Sequence, residues 1–237
     1  MVRMPRLGRK WRLETDERPD RPFTGFKLAR AVLSADGTSA AFTGLTLGAS
    51  QVYGAVAEAS CVWNRKHVPP RRRCGCGFYC LHSLEQAREL GCLTSNRSAL
   101  LLEVAACGQY IRYELGVRYS RQRIRAIRDC WCACGRPGTA LADAGTGLVG
   151  WRHQSPVCEL CAAQRRGRPV LRMAEFAALL SGSVLVEPAP AVAGAADTGA
   201  ADPEPRIAES PIAVLTAEIA LLHARLDDLQ SRFERGR

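Results

Sequence analysis

Apolar and polar positions already divide the chain into segments of different kind. Residues 1–22 (MVRMPRLGRKWRLETDERPDRP) show no apolar periodicity and carry seven basic against four acidic side chains, so they read as a basic flexible arm. From Phe23 the pattern becomes globular. Phe26–Leu33 and Ala41–Leu47 read as strands around the turn Ala35-Asp36-Gly37. Ser83–Leu90 has helical spacing, with Ser83 as N-cap, Gln86 three residues on and Gly91 at the stop. Ala99–Cys107 and Gln109–Tyr119 suggest a hairpin turning at Gly108. Ser120–Arg128 (SRQRIRAIR) is expected to be a strongly basic helix, Leu148–Arg152 a short strand, and Leu171–Leu180 a helix.

Past that point the pattern changes twice. Glu187–Glu209 is mostly Ala, Pro, Gly, Asp and Glu and buries too little to fold, so 182–210 is expected to be an Ala/Pro-rich, disordered linker. Ser210 then suits an N-cap and Pro211 the first helical position. Ile212, Leu215, Ile219, Leu222, Leu226, Leu229 and Phe233 follow at alternating steps of three and four, an unbroken a/d seam over three heptads. A coiled-coil helix over 211–237 is predicted. It implies a homo-oligomer or a helical protein partner, with Ile at the first two a positions and Leu at each d leaning toward a parallel dimer. Val214 and Leu221 widen the apolar face and leave room for a larger assembly.

Composition adds charge. The net charge is +10, and only Lys10, Lys27 and Lys66 of the 33 basic residues are lysine, leaving 30 arginines. Arginine pairs bidentately with phosphate and stacks on bases, which raises the odds of a nucleic-acid partner; a GC-rich genome gives the same bias with no binding at all. Arg71, Arg72, Arg73, Arg121, Arg125 and Arg128 are the candidate contacts, the last three at helical spacing suited to a groove. Arg118, Arg123 and the aromatics Trp63, Phe78, Tyr110, Tyr113, Tyr119 and Trp131 lie among them.

The eleven cysteines carry the most specific chemistry. No secretory leader and no apolar run of membrane-spanning length is visible, so the expected location is the cytoplasm, where clustered thiols mean metal or redox chemistry rather than disulfides. Cys61, His67, Cys74 and Cys76 fall within sixteen residues and form a Cys₃His set, with Gly77 giving the turn after C-x-C its freedom and Cys80 a substitute for His67. Cys132 and Cys134, followed by Gly135, face the C-x-x-C of Cys158 and Cys161 across a 23-residue gap, a zinc-ribbon-like pair of knuckles with Cys130 as the spare. Two zinc ions are the expected cofactors. A redox reading of Cys158–Cys161 lacks the flanking βαβ pattern. His82, His153 and His223 have no catalytic companion, and no phosphate loop, Ser-His-Asp order or H-E-x-x-H is present, so no enzymatic role is expected.

The run Cys61…His67-Val68-Pro69-Pro70…Cys74-Gly75-Cys76-Gly77-Phe78-Tyr79 resembles a motif of uncharacterised actinobacterial and actinophage proteins: a Cys, a His closely followed by Pro, C-x-C-G-[IF]-Y-A, and then a helix. The similarity covers roughly residues 24–128, and Leu102–Arg118 with Ser120–Arg128 match the family's later β segment and helix. Cys80 stands where the family has Ala, and Tyr53-Gly54 where Trp-Gly is common. The resemblance implies that Cys61, His67, Cys74 and Cys76 belong to one folded unit; it carries no function across.

Together these readings predict an α+β chain. Its parts are a Cys/His metal-binding domain over 23–129, a zinc-ribbon-like module with a helix over 130–181, the linker and the coiled coil. The expected role is a zinc-binding adaptor that self-associates and contacts nucleic acid or a nucleoprotein complex. The alternatives are a structural or assembly protein, phage association included, in which zinc only stabilises the fold and the helix docks a protein partner, and a thiol redox sensor.

Overall fold

The computed structural model describes residues 16–17, 21–46, 49–63, 66–165 and 169–187. In chain order the strands are β1 (Asp16–Glu17), β2 (Phe23–Ser34), β3 (Ala40–Thr43), β4 (Val52–Tyr53), β5 (Val56–Glu58), β6 (Phe78–Leu81), β7 (Leu100–Arg112), β8 (Gly116–Cys130), β9 (Ala140–Leu148), β10 (Trp151–Val157), β11 (Val170–Arg172) and β12 (Leu185–Val186). Among the described residues three short α-helices accompany them: α1 (Leu84–Gly91), α2 (Glu159–Gln164) and α3 (Met173–Ala178).

This corrects the expected fold class. Among the described residues the chain is a hydrogen-bonded β-sheet system with short helices attached, not an α+β mixture. The largest single difference is Ser120–Arg128, which is strand rather than helix. Its residues alternate: Arg121, Arg123 and Arg125 are exposed, while Gln122, Ile124 and Ala126 are buried. A period of two serves a sheet with one wet face, and it outweighs the i, i+4 spacing of arginines that suggested a helix.

Strands β2 and β8 organise the rest. The first half of β2 pairs with β7 from Phe23↔Ala106 to Ala29↔Leu100, and its second half pairs with both β3 and β10. Strand β8 lies along β7 for almost its whole length and also pairs in turn with β6, β5 and β12. Strands β2, β7, β8 and β6 close into a ring through Phe26↔Leu81, which leaves few open edges there.

The β7–β8 hairpin turns at 113–115, with the Tyr113 N–H donating to Gly116. Gly108, expected at that turn, sits instead in a bulge with φ of +81°, where a Cβ would collide with the Ser120 hydroxyl. Leu148–Arg152 likewise spans the β9–β10 turn, with Gly150 at φ +78°. Helix α1 forms as expected: the Ser83 hydroxyl accepts from the Glu85 and Gln86 N–H groups. Leu171–Leu180 divides into the end of β11 and the short α3.

The core lies between the sheet and α3. Phe42, Leu100, Leu102, Tyr110, Tyr119, Ile124, Leu141 and Phe176 are fully buried, and Phe176 meets Phe42 edge-on at 5.7 Å between ring centres. By cavity formation, losing the Phe176 ring costs about 3–5 kcal/mol.

The described residues fall in one compact unit, and β10–β2 pairing joins residues on the two sides of the expected 129/130 boundary. Asp16–Glu17 pairs with β7, and β12 runs parallel to β8, so a part of the expected arm (1–22) and the first residues of the expected linker (182–210) take part in sheet pairing. The expected coiled coil and its seam residues lie outside the described residues.

Candidate metal centres

The first candidate centre is the segment between β5 and β6. It holds Cys61, His67, Cys74 and Cys76, whose ligand atoms all lie within 4.8 Å of one another. Sγ of Cys61 is 3.8 Å from Sγ of Cys74, and Nε2 of His67 is 3.1 Å from Sγ of Cys76. A Zn–S bond of about 2.3 Å sets the edge of a tetrahedron near 3.8 Å, so the thiol pair already stands at a ligand–ligand separation. The same separation is far beyond the ~2 Å of a disulfide.

The local chain explains the convergence. Arg71 and Cys74 form a bridge, with the Cys74 N–H on the Arg71 carbonyl at 3.0 Å, which turns the second thiol back toward the first. Gly77 follows at φ +117°, and a Cβ there would press on Arg118, Pro70 and Tyr119. Glycine is thus needed for both conformation and space.

The second candidate centre joins two knuckles. After β8 ends at Cys130, Cys132–Gly135 makes a tight turn in which the Gly135 N–H donates to Cys132 and the Cys132 N–H to Arg136, both at 2.8 Å. Gly135 has φ of +84°. The other knuckle begins after β10, where Cys158 caps α2 and Cys161 lies in its first turn. Cys132, Cys134, Cys158 and Cys161 converge within 4.8 Å, with Sγ of Cys134 and Cys158 3.6 Å apart. Ala140, Ala142 and Val157 pack around them, and such small side chains bury little area.

Thiol electrostatics differ between the two. Burial pushes Cys76 up to about 12, with Cys74 adding to the effect. In the second cluster burial also opposes charge on Cys132, but hydrogen bonds from the Cys134 and Cys158 backbone N–H groups bring it down to about 6. Cys161 rises to about 12 because Cys132, Cys134 and Cys158 all crowd its thiol. Four donors with competing protons are what a divalent cation resolves, by replacing protons outright. Both donor sets, Cys₃His and Cys₄, suit zinc and fill a tetrahedron. The two groups fit two zinc sites.

The spare thiols settle elsewhere. Cys80 belongs to β6 and the sheet core, beside Gly25 and facing Val117 across the ladder, and burial drives it to about 12. Cys130 donates to the Gly138 carbonyl at 2.9 Å and is likewise pushed up to about 12 by burial. Neither replaces a ligand of its neighbouring cluster.

The arginines divide. Arg71, Arg72 and Arg73 are exposed on the first metal loop. Arg121 and Arg125 share the open face of β8 with Arg123; Arg121 stands 3.7 Å from Glu58, and Arg125 donates to Thr24 at 3.2 Å. Arg128 does not join them, since it is ion-paired to Glu103 and Glu187. Tyr110 and Tyr119 are buried and offer no stacking surface, whereas Trp63, Tyr79 and Trp131 are exposed.

Sequence reasoning grouped Arg118 with the surface arginines, and this missed its role in the fold. It is 3% exposed. Its guanidinium donates to the carbonyls of Cys74 and, at 3.1 Å, of Arg71, and to the Tyr79 hydroxyl at 3.3 Å. Arg118 pairs with Ile111 in the β7–β8 ladder, and only that long-range pairing reveals which way it points.

Among the described residues no helix is long and apolar enough to cross a membrane. No protein-family model matches the chain, and neither a curated protein nor a solved structure does.

Proposed function

We propose that the chain is a non-enzymatic, zinc-stabilised β-sheet adaptor that contacts nucleic acid through its phosphates. Both metal groups already supply four protein ligands, the closed set of a structural ion; a catalytic zinc keeps a position open for water. The observation that carries the nucleic-acid reading is the row of Arg121, Arg123 and Arg125 along β8. Alternate strand positions stand about 7 Å apart, so three guanidinium groups can follow a phosphate backbone in register. Thr24, Ala105 and Cys107 on one side are small, Val56 and Glu58 of β5 stand opposite Arg123 and Arg121 on the other, and the chain's net charge of +10 favours the encounter.

The test is binding of a short single-stranded DNA and its matching duplex between about 50 and 200 mM salt. The expected result is affinity that falls steeply with salt. In R121Q/R123Q/R125Q the logarithmic salt slope should shrink by about 2 to 3. A flat salt response, or a triple variant that binds like the parent, overturns this reading.

Self-association is proposed through 211–237, on the strength of the heptad seam from Ile212 to Phe233. Removing 211–237 should lower the mass in solution to that of one chain. An unchanged number of chains per particle contradicts it and leaves the heptads to dock on a protein partner.

A further inference from the structure

We propose that Arg118 balances the charge of the first metal site, as a positioning residue held beneath its ligand loop. Arg118 is the one arginine buried among the described residues; Lys27, the other shielded cation, lies over the Tyr53 and Phe78 rings, and burial lowers it to about 8. No carboxylate of the described residues lies at ion-pair distance from Arg118. The rings of Tyr79 and Tyr113, 5.7 and 5.9 Å from the guanidinium carbon, cover its faces. A buried cation without an anion is unfavourable, and ring contacts offset only part of that cost.

The missing anion is the metal cluster. A divalent zinc with three thiolates and one neutral imidazole carries a single net negative charge, and one guanidinium cancels it. Geometry directs that charge to the right place. Arg118 donates to the carbonyls of Arg71 and Cys74, the two residues that form the turn bearing the second thiol. It also donates to the Tyr79 hydroxyl, which in turn donates to the Gly75 carbonyl at 3.1 Å. The loop from Arg71 to Cys76 is thereby tied to β8 by one side chain. Outer partners of this kind set ligand orientation and metal affinity. The second site has no buried arginine of its own among the described residues, and its Cys134 is exposed.

The inference rests on the first group holding zinc, which the metal content of the unaltered chain tests separately. Zinc affinity is measured by competition with a chromogenic chelator on the full chain, in R118M and R118K. R118M should lose about 10- to 100-fold in affinity at the first site with the second unchanged, and R118K should recover part of the loss. Charge is separated from packing by C61H, which makes the first site Cys₂His₂ and neutral. In that background R118M should change affinity little. Equal losses in both backgrounds, no loss at all, or loss at both sites together overturn the proposal. If R118M does not fold, R118Q takes its place, and failure of both to bind zinc at the second site counts as loss at both.

Discussion

The two cysteine regions hold a cation among thiols by different means. The first spreads its ligands over Cys61–Cys76 in one loop and buries Cys74 and Cys76, which drives Cys76 up to about 12. Its compensation comes from afar, through Arg118 on β8. The second gathers its ligands on two tight knuckles and uses backbone N–H groups, which bring Cys132 down to about 6 and leave Cys134 open to solvent. Each set buries two thiols, but the first leans on a side chain from β8, whereas the second draws its donors from the knuckle itself.

Chelation should give the largest effect. Structural zinc contributes on the order of 10 kcal/mol of folding free energy per site, so stripping both ions should disorder both regions. Hydrogen exchange would then rise across 66–77 and 130–161. Exchange and thermal unfolding unaltered by the chelator would break the comparison at its root.

Next in size are single ligand replacements. C74S and C158S should each retain one zinc, because the two groups share no ligand. Loss of both ions from either variant would mean that the regions are one coupled unit.

Oxidation should distinguish them more finely. Cys134 is exposed while Cys74 and Cys76 are buried, so mild peroxide should release zinc several-fold faster from C74S, which keeps the second site, than from C158S. Faster release from C158S would contradict the assigned difference in access.

The smallest effects belong to the neighbouring thiols. C80A and C130A should keep both ions and lose about 1 kcal/mol of stability each, as expected for a modest core truncation. A missing ion in either would reassign a ligand.

The sequence carried the ligand sets because soft donors within short windows leave few alternatives: Cys61, His67, Cys74 and Cys76, and the knuckle pairs around Gly135 and Cys161. Helix α1 was legible for a local reason too, the Ser83 cap. What failed depended on long-range pairing. Arg121, Arg125 and Arg128 fit a helical spacing while Arg121, Arg123 and Arg125 fit a strand, and only β7 on one side with β5 on the other decides between them. Gly108 reads as a turn in isolation and is a bulge because Ser120 lies opposite. Two-residue edges such as β1 and β12 have no periodicity to detect. The burial of Arg118 was hidden for the same reason.

The central claim is two zinc ions on two named ligand sets. Native mass spectrometry of the intact chain tests it most directly. The account predicts two zinc ions per chain with all eleven cysteines reduced, and one ion in each of C74S and C158S. A chain that carries no zinc, a single ion shared between the groups, or disulfides within either group would contradict it.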